Sequence, residues 1–182
     1  MQEFTVQRTS HTSDEVWFLE HEPVYTYGIK TSKDDIPENT QLPLLKSDRG
    51  GEITFHGPGQ LVVYPLLDLK RRSIKPGEFI SKFQDAILIS LSNYQSNLII
   101  NNNDPGIYHQ NKKLVSFGLK ITKKGTYHGA SINISMDLRP WNEVTICGND
   151  QTEAIDLEKL GCNNSLSEIR KSIQKNLSKR FE

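Results

Sequence analysis

Two cysteines in 182 residues are too few for a disulfide framework, so Cys147 and Cys162 are read as free thiols of a reduced, cytoplasmic protein. Charge of one sign is not in excess: 22 Lys and Arg balance 22 Asp and Glu. No global field then draws the chain to nucleic acid or to an anionic membrane. Neither is expected as a partner, and any partner must be recognised by a local patch. No apolar run approaches the roughly 18 residues that span a bilayer. The N-terminal stretch MQEFTVQRTSHTSDE has no apolar signal-peptide region. The five histidines and two cysteines fall in no zinc-ligand spacing, so no metal and no cofactor is expected. Neither GxGxxG nor a glycine loop ending in Lys-Ser/Thr is present, which excludes the common phosphate-binding loops. No repeat, low-complexity tract or linker divides the chain, and residues 1–182 are read as one domain able to bury a core without staples.

What is present is a dense stretch, Arg49-Gly50-Gly51-Glu52-Ile53-Thr54-Phe55-His56-Gly57-Pro58-Gly59-Gln60, with four glycines in twelve residues. Glycine is used where backbone approaches something closely or takes a positive φ. Two glycine clusters around the β-type segment Glu52 to Phe55 suggest a backbone cradle with Arg49 and His56 at its ends. A tight hairpin is the competing reading of the same pattern.

Along the chain, residues 2–10 fit either a short strand, from the alternation of Phe4 and Val6, or the tail of a helix. Val16 to Glu20 and Pro23 to Gly28 read as extended, and Ile29 to Ser47 as a long loop. Leu61 to Leu69 reads as a buried strand that Pro65 places at an edge or breaks. Phe79, Ile80, Phe83, Ile87, Leu91 and Tyr94 recur at helical spacing, so 77–94 is an amphipathic helix packed on the core. Strands are expected at 98–100, 107–109, 113–122 and 126–136, with turns at Asn101 to Gly106, Asn111-Lys112 and Lys123 to Gly125. Thr152 to Leu160 reads as a short helix. Ser165 to Glu168 is a capping box opening a C-terminal helix marked by Leu166, Ile169, Ile173, Leu177 and Phe181. The fold class is α+β, a mixed, largely antiparallel sheet flanked by helices.

Nucleophile candidates are Cys147, before Gly148 in a loop, and, with less support, Cys162. A working thiol needs a base or cation beside it, whereas most free cysteines are small buried hydrophobes. Lys113, opening an apolar strand, is a partner if buried and an ordinary strand-end lysine if not. Composition and spacing leave these alternatives open.

Three segments, RGGEITFHGPGQLVVYPLLDL (49–69), KLVSFGLKI (113–121) and TYHGASINISMDLRPW…CG (126–148), together with DEVWFLEHEPVYTYG (14–28), resemble the lipoyl(octanoyl) transferase family. The resemblance covers roughly residues 2–150. It implies a fold like that of biotin and lipoate protein ligases. The implied activity is transfer of an octanoyl group from octanoyl-acyl carrier protein, through a cysteine thioester, to a lysine of lipoyl-carrier domains. Those acceptors are the lipoyl domains of 2-oxo acid dehydrogenases and the glycine cleavage H protein. The family cysteine falls on Cys147 and the family lysine, which lowers its pKa, on Lys113. The acyl-binding segments fall on Arg49 to His56, on Ser116-Phe117-Gly118 and on Gly129-Ala130-Ser131. Glycine-rich backbone N–H groups would serve the thioester oxyanion, and Phe55 and Phe117 would line the octanoyl slot. Ile146 stands where many members have proline, and Ala130-Ser131 where Leu-Ala is usual. Members commonly carry a further strand and the first part of a helix ahead of the residues matching Met1 to Phe4, so either the sheet is one strand shorter here or the natural start lies upstream. An ATP-dependent ligase on the same fold and a non-catalytic carrier-binding module are the competing functions. Arg71, Arg72, Lys112, Lys123 and Lys124 are candidates for docking an acidic carrier protein.

Overall fold

Alternation of side chains along the long apolar runs sets the architecture, because each run buries one face against helices, and the central runs 60–66 and 126–133 are covered on the other face as well. The protein is described by a computed structural model that covers residues 1–37, 40–144 and 152–181. Its order is α1 (Gln2–Gln7), β1 (Glu15–Leu19), β2 (Val24–Tyr27), a 3-10 turn (Lys33–Asp35), β3 (Leu44–Lys46), β4 (Ile53–His56), β5 (Gln60–Leu66), α2 (Pro76–Ser92), β6 (Leu98–Asn101), β7 (Gly106–His109), β8 (Lys112–Ile121), β9 (Thr126–Asn133), a second 3-10 turn (Arg139–Glu143), β10 (Glu153–Ala154) and α3 (Leu166–Phe181). The large sheet runs β1-β5-β9-β8-β7-β6, with β10 added beside β8, and a small sheet runs β3-β2-β4. Pairing is antiparallel except for β10 with β8 and β2 with β3, the mixed, largely antiparallel arrangement expected.

Helices α2 and α3 cover one face of the large sheet. Phe79, Phe83, Ala86, Ile87 and Leu91 of α2 and Ile169, Ile173, Leu177 and Phe181 of α3 meet Leu61, Val63, Val115, Ala130 and Ile132 in one core. Ile80, placed on the same stripe by its spacing, lies on the outer shoulder of α2 and is exposed. The capping box forms as read: the Glu168 carboxylate accepts from Ser165 N, and Ser165 Oγ accepts from Glu168 N. The small sheet has its own core of Tyr25, Ile53, Phe55, Trp141 and Val144.

Of the two readings left open for residues 2–10, the helix holds over Gln2–Gln7, with the tilted rings of Phe4 and Trp17 5.7 Å apart. Three other readings are corrected in whole or in part. The long 29–47 connection contains β3, which pairs with β2 as Tyr25↔Leu44 to Tyr27↔Lys46. Of the two readings of Pro65, the break holds and the edge does not: β5 lies between β1 and β9, and its ladder to β9 stops at Val63. Beyond it the Thr126 hydroxyl donates to Pro65 O and accepts from Leu67 N, replacing the ladder bonds proline interrupts. Thr152 to Leu160 is not a helix, because its amides serve neighbouring strands: Ile155 N donates to Lys113 O, Leu157 N to Asn133 O and Glu158 N to Ile134 O. Ile155 and Leu157 thus alternate like strand residues.

Arg71 and Arg72, read as docking candidates, are drawn onto Asp14 together with buried Arg8. Lys112 pairs with Glu153 on the surface. Burial pushes the Asp14 carboxyl up, but the Asp68 amide and the arginines outweigh it and hold it below its ordinary 3.8. A depressed carboxyl stabilises the fold above its unfolded pKa and loses that contribution as pH falls through the folded value. Asp14→Ala leaves Arg8 buried without its counter-ion and is expected to cost about 3 kcal/mol in urea unfolding. Its stability deficit relative to the wild type should shrink on acidification, and a deficit unchanged down to strongly acid pH counts against the ion cluster.

Candidate active site

The predicted cradle forms where the small sheet is laid against β8. It is not a hairpin, since β4 and β5 on either side of Gly57-Pro58-Gly59 belong to different sheets. The contact is backbone on backbone. Gly50 N donates to Leu119 O at 3.1 Å, and a Cβ on Gly118 would stand 3.1 Å from both Arg49 Cδ and Gly50 O. A Cβ on Gly28 would fall 2.3 Å from Gly51 O, and Gly51 itself has φ +86°. Arg49 fastens the cradle to β2: its guanidinium donates to Thr26 O at 2.7 Å, to Thr26 Oγ1 and to Gly50 O.

The second and third predicted segments are cross-strand neighbours under this cradle. Ser116 pairs with Ser131, Phe117 with Ala130 and Gly118 with Gly129. Alternation turns Phe117 and Ala130 to the helices, where the Phe117 ring lies 6.0 Å from Phe83. Phe55 packs between Tyr25 and Trp141 in the small core. Neither phenylalanine therefore lines a slot as expected. The face left toward the cradle is that of Ser116, Gly118, Gly129 and Ser131. Gly50 N–H, engaged by Leu119 O, is not an oxyanion donor either. Glu52, Ile53 and Thr54 continue the cradle into β4, with Ile53 in the small core and Thr54 paired with Thr26.

Lys113 is 2% exposed, and its Nζ donates to Asp104 Oδ1 at 2.6 Å. The Tyr108 hydroxyl donates to the same carboxylate. Cys147 lies outside the described residues. After that stretch the chain rejoins the sheet beside Lys113, as Ala154↔Lys113 in register and Ile155 N donating to Lys113 O at 3.0 Å. Cys162 is buried in the helix-side core and serves there as a small hydrophobe.

His56 sits in a chain of hydrogen bonds whose directions follow from its ends. Arg49 can only donate, so Thr26 Oγ1 accepts from it and gives its own proton to His56 Nε2 at 3.4 Å. Gln60 Nε2 donates to Asn133 Oδ1 at 2.9 Å, which leaves Gln60 Oε1 to accept from His56 Nδ1 at 2.7 Å. Asn133 Nδ2 closes the chain on Ile155 O at 3.0 Å. His56 is thereby the neutral Nδ1–H tautomer, and burial lowers its pKa to about 3 against the weaker opposing pull of Gln60. It is a bridge, not a base. Beside it stand His21, whose Nε2 meets Tyr64 Oη at 2.9 Å, and His128, at φ +56° with Nε2 2.8 Å from Asp48 Oδ1. Burial would raise the Asp48 carboxyl, but Tyr127, His128 and Gln2 bring it down to about 2.

Sequence reasoning missed Gln60, Asn133, Asp104, Tyr108 and Gly106. A polar pair at the facing ends of two apolar strands (Gln60↔Asn133) was a readable signal. Asp104 was hidden in a turn composition.

The lipoyl protein ligase A/B catalytic domain family matches residues 1–178. The octanoyltransferase of Laribacter hongkongensis is 41% identical over 181 residues, covering 100% of this chain and 87% of that one. That of Vibrio cholerae is 41% identical over 160 residues, 88% of this chain and 74% of its own. Among solved structures, a putative lipoate protein ligase from T. acidophilum with bound lipoic acid superposes with TM-score 0.76 at 15% identity, covering 98% of this chain and 77% of that chain. Biotin protein ligase from Aquifex aeolicus gives TM-score 0.54 at 16% identity, over 86% and 68%. The fold is the one these ligases share.

Two outcomes follow from the geometry. In 15N NMR, His56 is expected to keep the Nδ1–H tautomer without titrating from neutral pH down to about 5. The unfolded chain takes up this proton between 6.5 and about 3 while the folded chain does not, so His56 costs stability as pH falls through that window. A titration of His56 near 6.5 would overturn the assigned tautomer and its bridging role. Gly118→Ala forces Arg49 and Gly50 off β8 and is expected to cost about 1–3 kcal/mol, read as a drop in urea midpoint.

Proposed function

The chain belongs to the lipoyl protein ligase A/B catalytic domain family, and from that membership we propose that it is an octanoyltransferase working through a thioester on Cys147. The whole chain acts as one catalytic domain. The observation that carries the mechanism is Lys113: a lysine buried in the sheet, at the point where the segment following Cys147 returns. A cation or base beside a thiol is what turns it into a nucleophile.

The donor is octanoyl-acyl carrier protein. In the resting enzyme the Cys147 proton has passed to Lys113, and the thiolate attacks the thioester carbonyl. The carrier C–S bond breaks, and the carrier sulfur leaves as a thiol with the proton from Lys113. The acceptor is a lysine on a lipoyl domain of a 2-oxo acid dehydrogenase or on the glycine cleavage H protein. Its neutral amine attacks the enzyme thioester, the amide forms, and Cys147 leaves as thiolate. The amine proton passes to Lys113, which restores the starting pair of Cys147 thiolate and Lys113 ammonium. His56 has no part in these transfers, since both ring nitrogens are engaged and its pKa is about 3.

Arg49 to His56, Ser116 to Gly118 and Gly129 to Ser131 form the acyl site. What supports this reading is their convergence: the cross-strand segments Ser116 to Gly118 and Gly129 to Ser131 meet the glycine cradle at Gly118, beneath Arg49 and Gly50. No helix among the described residues is long and apolar enough to cross a membrane. A reaction that needs a reduced thiol is assigned to the cytoplasm.

Intact-mass spectrometry after mixing with octanoyl-acyl carrier protein tests the proposal. One octanoyl adduct is expected on the wild type, removed by a lipoyl domain, and none on Cys147→Ala. An adduct on Cys147→Ala, or turnover by it, sinks the covalent mechanism. Lys113→Ala is expected to slow adduct formation by about 10²-fold or more. Labelling of a carrier domain that needs ATP and free octanoate would instead make the protein a ligase.

A further inference from the structure

The turn between β6 and β7 carries an arrangement that the reaction above does not use. Asp104 lies in it, and its carboxylate receives two donors: Lys113 Nζ on Oδ1 at 2.6 Å and the Tyr108 hydroxyl on Oδ2. The turn is itself fixed, because Asn101 Oδ1 accepts from the amides of Asn103 and Asp104 at 3.0 and 3.3 Å. Tyr108 is buried on β7, next to Lys113 in register, with its ring 5.5 Å from Nζ. Gly106 completes the fit: a Cβ there would stand 2.7 Å from Lys113 Cε and 2.7 Å from Val115 O. Any larger residue would occupy the path of the lysine stem. Four residues of one short segment thus shape a single channel for one side chain.

We infer that Asp104 is a positioning residue of the acyl-transfer site, holding Lys113 Nζ at one point and supplying its counter-charge, with Tyr108 holding Asp104 in turn. The inference rests on the role proposed for Lys113. Its physical basis is that a lysine stem has four flexible bonds, and a buried ammonium without a counter-ion is costly. The proposed lysine must take a proton from one sulfur and return it to another. Each transfer requires Nζ within hydrogen-bond reach of the sulfur. The Asp104 carboxylate lies against the ammonium where it forms and keeps Nζ from swinging away between the two transfers. Asp104 itself gains and loses no proton.

The test uses 15N-lysine-labelled full-length protein, with the Lys113 ammonium signal assigned by its loss in Lys113→Ala. In the wild type this ammonium is buried and bonded, and a slowly exchanging signal is expected. Asp104→Asn is expected to abolish that signal by speeding solvent exchange at least tenfold. In single-turnover acylation by octanoyl-acyl carrier protein the same variant is expected to be about 10²-fold slower, with the carrier KM unchanged. Asp104→Glu should recover part of the rate, which a merely structural turn residue would not predict. Tyr108→Phe keeps the carboxylate and should broaden the ammonium signal and slow acylation several-fold. If Asp104→Asn fails to fold, Tyr108→Phe decides: a wild-type signal and rate overturn the inference, and a broadened signal with a slower rate supports it. A folded Asp104→Asn with wild-type signal and rate overturns it outright. Lys113→Ala at full rate would sink the Cys147–Lys113 mechanism. An inactive Lys113→Ala beside a fully active Asp104→Asn would remove Asp104 alone.

Discussion

The site depends on backbone lying directly on backbone. Gly50 bonds to Leu119 O, Gly118 lies beneath Arg49 and Gly50, and Gly28 lies against Gly51 O. At Gly50 and Gly118 the small sheet's loop approaches β8 more closely than a side chain permits, and at Gly28 and Gly51 the loop closes on β2 in the same way. That approach brings the Arg49 to Gly51 loop onto β8, and it is why glycine gathers in segments distant in sequence. It also explains the place of Arg49. A glycine contact has little apolar area to hold it, so hydrogen bonds must keep the cradle in shape, and the buried guanidinium supplies them by joining Gly50 to Thr26 of β2.

The polar chain from Arg49 through Thr26, His56, Gln60 and Asn133 to Ile155 ties that contact to the other end of the site. Each member has its donor and acceptor fixed by the next, so a buried histidine that would otherwise have two tautomers has one. In a region of low dielectric such a chain is stable only when it is complete. Its last bond goes to the carbonyl two residues past Glu153, where the chain rejoins β8 beside Lys113. The cradle and the lysine therefore share one rigid frame, although no side chain runs between them.

Most of the fold was legible because periodicity reports burial. The β5, β8 and β9 runs, α2 and the capped α3 lie within a few residues of where spacing put them. Misreadings cluster where tertiary hydrogen bonds override local pattern. Thr152 to Leu160 has helical composition, but its amides are claimed by β8, β9 and the chain just beyond β9. Pro65 signals an edge, but a threonine hydroxyl from the next strand covers the gap it leaves. For the site, the motif segments were found and their meeting point was not, since register between β8 and β9 decides it. The same register turned Phe117 away from the acyl face. Asp104 could not be singled out, because Asn, Asp, Pro and Gly at a turn look alike whether the carboxylate faces water or a buried lysine.

Two buried ion clusters make the difference between stability and placement visible. Around Asp14, arginines from the end of α1 and from the connection after β5 meet, and Arg72 also reaches the Phe181 carbonyl at the end of α3. That carboxylate joins segments remote in the chain, and its work is to close the fold. Lys113 lies on β8 and Asp104 in the turn that leads into β7, and β7 and β8 are already paired, so their bond joins little that the ladder does not join. Buried ion pairs of this kind are commonly no more stable than hydrophobic residues of similar volume. A leucine at 113 would fill the core at least as well. What only the charged pair provides is an amine at a defined point in a dry interior, and a protein that merely needed to fold would have no use for it there.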